Sequence, residues 1–208
     1  MKIEVKDYTK IIKGVTILDH ITYTFESGIS YGLKGKNGSG KTMLMRAVSG
    51  LIYPTKGCVL IDGKQLGKDF SFPPSIGVLI ENPAFIPNYT GYKNLELLAC
   101  IQNKIRKEDI RKSMEAVGLD PDDKRKYRKY SLGMKQKLGI AAAFMEQPDI
   151  IILDEPINAI DSAGVVMVKK LIQEAKERGA VIITACHDAE ELNEISDIRI
   201  HIEEGRIA

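Results

Sequence analysis

The sequence holds little cysteine, and what it has is scattered. Cys58, Cys100 and Cys186 are odd in number and include no C-x-x-C pair. That spacing excludes a disulfide framework and points to reduced, buried thiols in a cytoplasmic protein. Histidine is equally scarce. His20, His187 and His201 form no ligand cluster, which argues against a structural zinc site. Charge of either sign is nearly balanced, at a net +2, too little to argue for nucleic acid. Long apolar runs are missing too. None approaches the ~18 residues of a membrane span, and the opening MKIEVKDYTK has no apolar h-region of a signal peptide. A soluble chain is expected, so any work at a membrane needs another chain to supply the spans.

What is there is an ordinary globular balance, 44% hydrophobic and 28% charged over 208 residues. A chain of this length buries roughly 70% of its unfolded surface without disulfides or metals. One domain, residues 1–208, is expected. Its first part reads as β-structure. Ile3 and Val5, then Ile21, Tyr23 and Phe25, alternate with polar neighbours. "GISYGL" is a short strand leading into a glycine loop. Met43 to Ser49 is a helix closed by Gly50, and "CVLIDGK" and "SIGVLIENP" are strands. The pattern from Tyr92 to Leu119 is helical and ends at Gly118, and Leu132 to Gln147 is helical again. The unbroken runs "DIIILD" and "AVIIT" fit strands covered on both faces, as in a parallel sheet. Helices are expected at 165–178 and 188–195, and "IRIHI" with "EEGR" reads as a terminal antiparallel pair. The order is β first, then α/β with a helical insert near 92–147.

The loop "GKNGSGKT" at 35–42 fits G-x-x-x-x-G-K-[ST], with a strand before it and a helix after. Gly35, Lys36, Asn37, Gly38, Ser39 and Gly40 let successive N–H groups turn towards an anion. The following helix adds its own unpaired N–H groups. Lys41 reaches the β and γ phosphates, and Thr42 offers a hydroxyl to Mg²⁺. A triphosphate therefore fills this loop. "IIILDEP" supplies the complement: Asp154 ends a strand where it can hold the metal through water, and Glu155 can orient or deprotonate an attacking water. Two acids after a strand would alone read as a helix cap, and the phosphate loop changes that reading. A guanine reader is absent, since Arg106 stands where Asn103-Lys104 would need its aspartate.

These motifs, with "YSLGMKQKLGIA" at 130–141, "IIILDEPINAID" at 150–161 and "TACHD" at 184–188, resemble an ABC transporter nucleotide-binding domain over essentially the whole chain. The resemblance implies an α/β fold: a P-loop NTPase core with a mostly parallel sheet, an N-terminal antiparallel β subdomain and a helical signature subdomain. It implies ATP and Mg²⁺ as cofactors, ATP hydrolysis, a second nucleotide-binding subunit (identical or paralogous) and an integral membrane permease at the inner face of the plasma membrane. By the same resemblance Ser131 and Gly133 contact the γ-phosphate of ATP on the other subunit. His187 is a switch near that phosphate, and Asp161 links the two sites.

Four positions depart from the family pattern. Ile12 falls where an aromatic commonly stacks on adenine. Leu132 and Met134 replace a glycine and a glutamine of the signature. Glu81 stands where glutamine is general, and its carboxylate can ligate Mg²⁺. Glu81 together with "YSLGMKQ" is similar to the bacitracin-resistance and lantibiotic-immunity type of exporter, which implies export of an antimicrobial peptide or drug. Phe85 and Ile86, between prolines, read either as a permease-facing surface or as a loop tucked into the core. The run Lys124, Arg125, Lys126, Arg128 and Lys129 reads as a solvated face, with no nucleic-acid partner expected. The rival class is a soluble ABC ATPase that moves no solute, in cluster assembly or regulation.

Overall fold

The computed structural model describes residues 1–186 and 188–208, the side chain of Ala189 aside. Strands β1 (Lys2–Ile12) and β2 (Val15–Glu26) form a hairpin. Lys13 and Gly14, both at positive φ, make its tight turn. Strand β3 (Ser30–Lys34) runs into the glycine loop and helix α1 (Lys41–Val48). There follow β4 (Lys56–Ile61), β5 (Lys64–Gln65) and β6 (Ile76–Leu79). The helical part holds α2 (Gly91–Gln102), α3 (Lys107–Ala116) and α4 (Leu132–Phe144). The chain then alternates: β7 (Ile150–Asp154), α5 (Ser162–Glu177), β8 (Val181–Ala185), α6 (Ala189–Ile195), β9 (Ile198–Glu203) and β10 (Arg206–Ile207).

Two sheets result. One is antiparallel, in the order β2-β1-β4-β5. The other runs β10-β9-β3-β8-β7-β6 and is parallel except for β10. The uniform apolar runs of β7 and β8 now have a cause. Side chains alternate across a strand, and each face of β7 feeds a different core. Ile150 and Ile152 join Ile3, Phe25, Leu33 and Leu44 on the β-rich side. Ile151 and Leu153 join Leu95, Met114 and Leu138 on the helical side. Both strands are buried throughout. β7 therefore ends between two packed cores, which fixes where Asp154 and Glu155 emerge.

Two expectations change. The helical pattern from Tyr92 to Leu119 is two helices, not one. Asn103 takes a left-handed conformation after α2, and the Arg106 backbone N–H with the Asp109 carboxylate caps α3 afresh. The thiols are not uniformly buried: Cys186 is, Cys58 is half-buried and Cys100 is exposed. Burial pushes the Cys186 thiol well above its ordinary range, with nearby acids adding to the effect.

Candidate functional site

The glycine loop leaves β3 and is shaped by close approach. A Cβ on Gly35 would lie 2.2 Å from the carbonyl oxygen of Ile202. Gly40 has φ 111, and its Cβ would meet Leu18 at 3.1 Å. Only glycine meets both demands. Gly40 is also the N-cap of α1 and has no side chain to bond the first N–H groups of that helix, and no acid lies in its first turn. Those groups are left for an anion. The buried Lys41 donates from Nζ to the carbonyl oxygens of Gly35 (2.7 Å) and Lys36 (3.1 Å). Its ammonium is thus held against the loop. Thr42 donates its hydroxyl to Asp154 Oδ2 at 2.8 Å.

One cavity of about 860 Å³ collects these groups. It is lined by Asn37, Gly38, Gly40, Lys41, Thr42, Glu81, Asp154 and Glu155, with Ile12, Val15 and Ile17 of the hairpin as an apolar wall. The hairpin tip pairs Ile12 with Val15, which places Ile12, 40% exposed, over the open side. Lys36 and Ser39 line a smaller recess behind the loop with His201 to Glu204. The Ser39 hydroxyl is buried and has no hydrogen-bond partner among the described residues.

Glu155 has φ 52, a left-handed backbone unusual for a glutamate. Its N–H donates to the Ala185 carbonyl at 2.8 Å. Its own carbonyl accepts from Gln136 Nε2 at 2.8 Å, and Pro156 accepts from the same nitrogen at 3.3 Å. Gln136 is a buried side chain on α4, so that helix holds the backbone turn at Glu155. Sequence reasoning missed this residue. In "GMKQKLG" it looks like one more polar position, and only the crossing of α4 over the end of β7 gives it a partner.

The signature lies elsewhere. Ser131 caps α4, its hydroxyl accepting from the Met134 N–H at 3.2 Å. Gly133 faces the Ala159 carbonyl, which a Cβ would meet at 2.7 Å. Both line a separate recess with Asp123, Arg125, Lys137 and Asp161. Among the described residues it shares no lining residue with the larger cavity. Asp161 caps α5 through the Gly164 N–H (3.0 Å) and lies 3.5 Å from Lys137 Nζ. The Gly164 N–H, then Lys137, hold its carboxyl below the usual range. Glu81 sits on the rim of the larger cavity, bonded to Arg46 at 2.6 Å. His187 lies outside the described residues.

The donors suit a nucleotide and a hard divalent cation. Thr42 and Asp154 offer oxygens in one cradle, and Glu81 adds another at its rim. Among the described residues no cluster of three or more His, Cys, Asp or Glu forms a closed metal site. Mg²⁺ fits that pattern, since it takes one or two protein oxygens and completes its shell with phosphates and water.

The loop at Phe85 and Ile86 divides. Phe85 packs edge-on against Tyr127, centroids 5.3 Å apart, while Ile86 is exposed. Beside them Leu51, Ile52, Pro83 and Leu98 line an apolar groove of about 530 Å³. The five basic residues of 124–129 are exposed, whereas Tyr127 and Tyr130 are buried. Among the described residues no helix is long and apolar enough to cross a membrane.

A family model described as "ABC transporter" matches residues 18–158. The chain is 50% identical over 205 residues to an uncharacterized ABC transporter ATP-binding protein, YybJ, of Bacillus subtilis, covering 99% of this chain and 94% of that protein. It is 36% identical to the bacitracin transport ATP-binding protein BcrA of Enterococcus faecalis, covering 99% and 67%. It is 33% identical to the lantibiotic transport ATP-binding protein SrtF of Streptococcus pyogenes, covering 92% and 82%. The fold is similar to a dimeric ATP-binding cassette, MJ0796, in a post-hydrolysis state with ADP and Pi, at TM-score 0.88, 21% identity, and 99% and 96% coverage. With its phosphate loop, acidic strand end and signature in their expected order, the chain belongs to the ATP-binding proteins of the ABC transporter family.

Proposed function

We propose that this chain hydrolyses ATP as one of two cassettes that power a membrane permease, and that the permease exports an antimicrobial peptide or a related drug. One observation carries the mechanism. Lys41, Thr42, Asp154 and Glu155 share one cavity, while Ser131 and Gly133 face a different recess. Neither half surrounds a γ-phosphate, so a second cassette supplies the missing half. Loop N–H groups and Lys41 bind the phosphates. Thr42 and Asp154 hold the cation, which when bound neutralises charge on the phosphate oxygens. Glu155 accepts a proton from, or orients, the attacking water. Its aim is held by Gln136 and by the Ala185 carbonyl.

On this reading the permease, at the inner face of the plasma membrane, meets the chain at the apolar groove beside Phe85 and Leu98. The choice of substrate class rests on the bacitracin and lantibiotic relatives and on Glu81 in place of glutamine. The test is Glu155→Gln. ATP binding should persist, turnover should all but vanish, and an ATP-dependent dimer should accumulate on size exclusion. Unchanged phosphate release in that variant overturns the role of Glu155. Deletion of the gene for the permease partner should abolish peptide resistance to the same degree as loss of this chain.

A further inference from the structure

An ion pair stands between the nucleotide cavity and the apolar groove. Arg46 lies on α1, one turn beyond Thr42, and lines the groove. Glu81 follows β6 and lines the cavity. Asn82 lines both. Arg46 Nη2 donates to Glu81 Oε1 at 2.6 Å, with the two side chains 34% and 61% exposed. A pair this open adds little to stability, so its use is sought elsewhere. Glu81 shares the cavity with Thr42 and Asp154, the oxygens suited to a divalent cation. A guanidinium on the same carboxylate repels that cation and draws on the same charge.

We propose that Arg46 is a positioning residue that competes with the nucleotide-bound divalent cation for Glu81, and so sets how much magnesium the site requires. Glutamine at position 81 would have no charge to compete for. The competition is therefore specific to a chain with a carboxylate there and an arginine one turn beyond the phosphate loop.

The inference rests on the magnesium–nucleotide reading of the cavity. It is tested by titrating Mg²⁺ into a fluorescent non-hydrolysable ATP analogue with the full chain, Arg46→Gln, Glu81→Gln and the double variant. Arg46→Gln should lower the Mg²⁺ concentration at half-maximal binding about three- to tenfold, and in the Glu81→Gln background by less than about twofold. Arg46→Lys should fall between. Within each background, Arg46→Gln should leave binding in EDTA nearly unchanged, which a purely structural role would not preserve. An unmoved midpoint, equal shifts in both backgrounds, or parallel loss in EDTA overturns the assignment of Arg46 alone. A parent chain that binds no analogue at any Mg²⁺ concentration overturns both readings.

Discussion

Thr42 and Asp154, 112 residues apart, meet at 2.8 Å through hydroxyl and carboxylate. One lies in the first turn of α1 and the other ends β7, so the contact joins the phosphate loop to a strand buried throughout its length. Asp154→Asn keeps the size and loses the charge. Its Mg²⁺-dependent nucleotide affinity should fall about 10- to 100-fold, the usual cost of a lost outer-shell metal partner, while affinity in EDTA changes little. Calorimetric titration with and without Mg²⁺ checks this. An equal loss in both conditions contradicts it.

Gln136 gives a second prediction. Its amide donates to two carbonyls in a buried turn. Gln136→Leu takes a donor from both, although the Glu155 carbonyl keeps the Asn158 N–H at 3.2 Å. A buried acceptor that loses its partner costs about 1–3 kcal/mol, and the left-handed Glu155 is held less firmly. We expect a lower melting temperature and a large loss of kcat with nearly unchanged nucleotide affinity. Wild-type turnover in a stably folded Gln136→Leu would show that Glu155 is aimed without it.

Much of this was legible beforehand, and the reasons differ by element. The phosphate loop is readable because its chemistry is local: glycine spacing, lysine and threonine act within one loop and one helix start. β7 and β8 are readable because burial on both faces removes polar residues. The break between α2 and α3 was hidden, since Asn103 tolerates a left-handed conformation without announcing one. The partner of Glu81 was hidden for another reason. Arg46 is 35 residues away, and only the folded chain brings the side chain from α1 to the residues after β6.

Ile12 yields a gain rather than a loss. It sits at the hairpin tip on the apolar wall of the cavity, where a flat ring would lie over a base. Ile12→Tyr should tighten ATP binding, since stacking of a base on an aromatic is worth roughly 1–3 kcal/mol. The improvement should extend to other purine nucleotides and should be absent for inorganic triphosphate. Equal tightening of triphosphate would place the new ring somewhere other than the base.

Gly77 tests the packing behind the site. A Cβ there would lie 1.8 Å from the backbone oxygen of Ala143 in the last turn of α4. Backbone cannot step aside as a side chain can, so Gly77→Ala must push α4 off β6. A loss at or above the usual 1–3 kcal/mol of overpacking is expected, seen as an earlier midpoint in urea. An unchanged midpoint would mean that the strand and helix separate freely.

Asp161 supplies the dependence on pH. Its carboxyl is held below the usual range first by the Gly164 N–H and then by Lys137, and it caps α5. A folded pKa below the unfolded one, about 3.9, gives a contribution fully present above that pH. The contribution is lost as pH falls through the folded value. Asp161→Asn keeps an oxygen for the cap and loses the charge. Its melting temperature should therefore lie slightly below wild type near neutrality, and the two should converge in acid. Because the carboxylate is exposed, added salt should shrink the neutral-pH difference. A gap that persists unchanged into acid would assign the effect to the shape of the cap rather than to its charge.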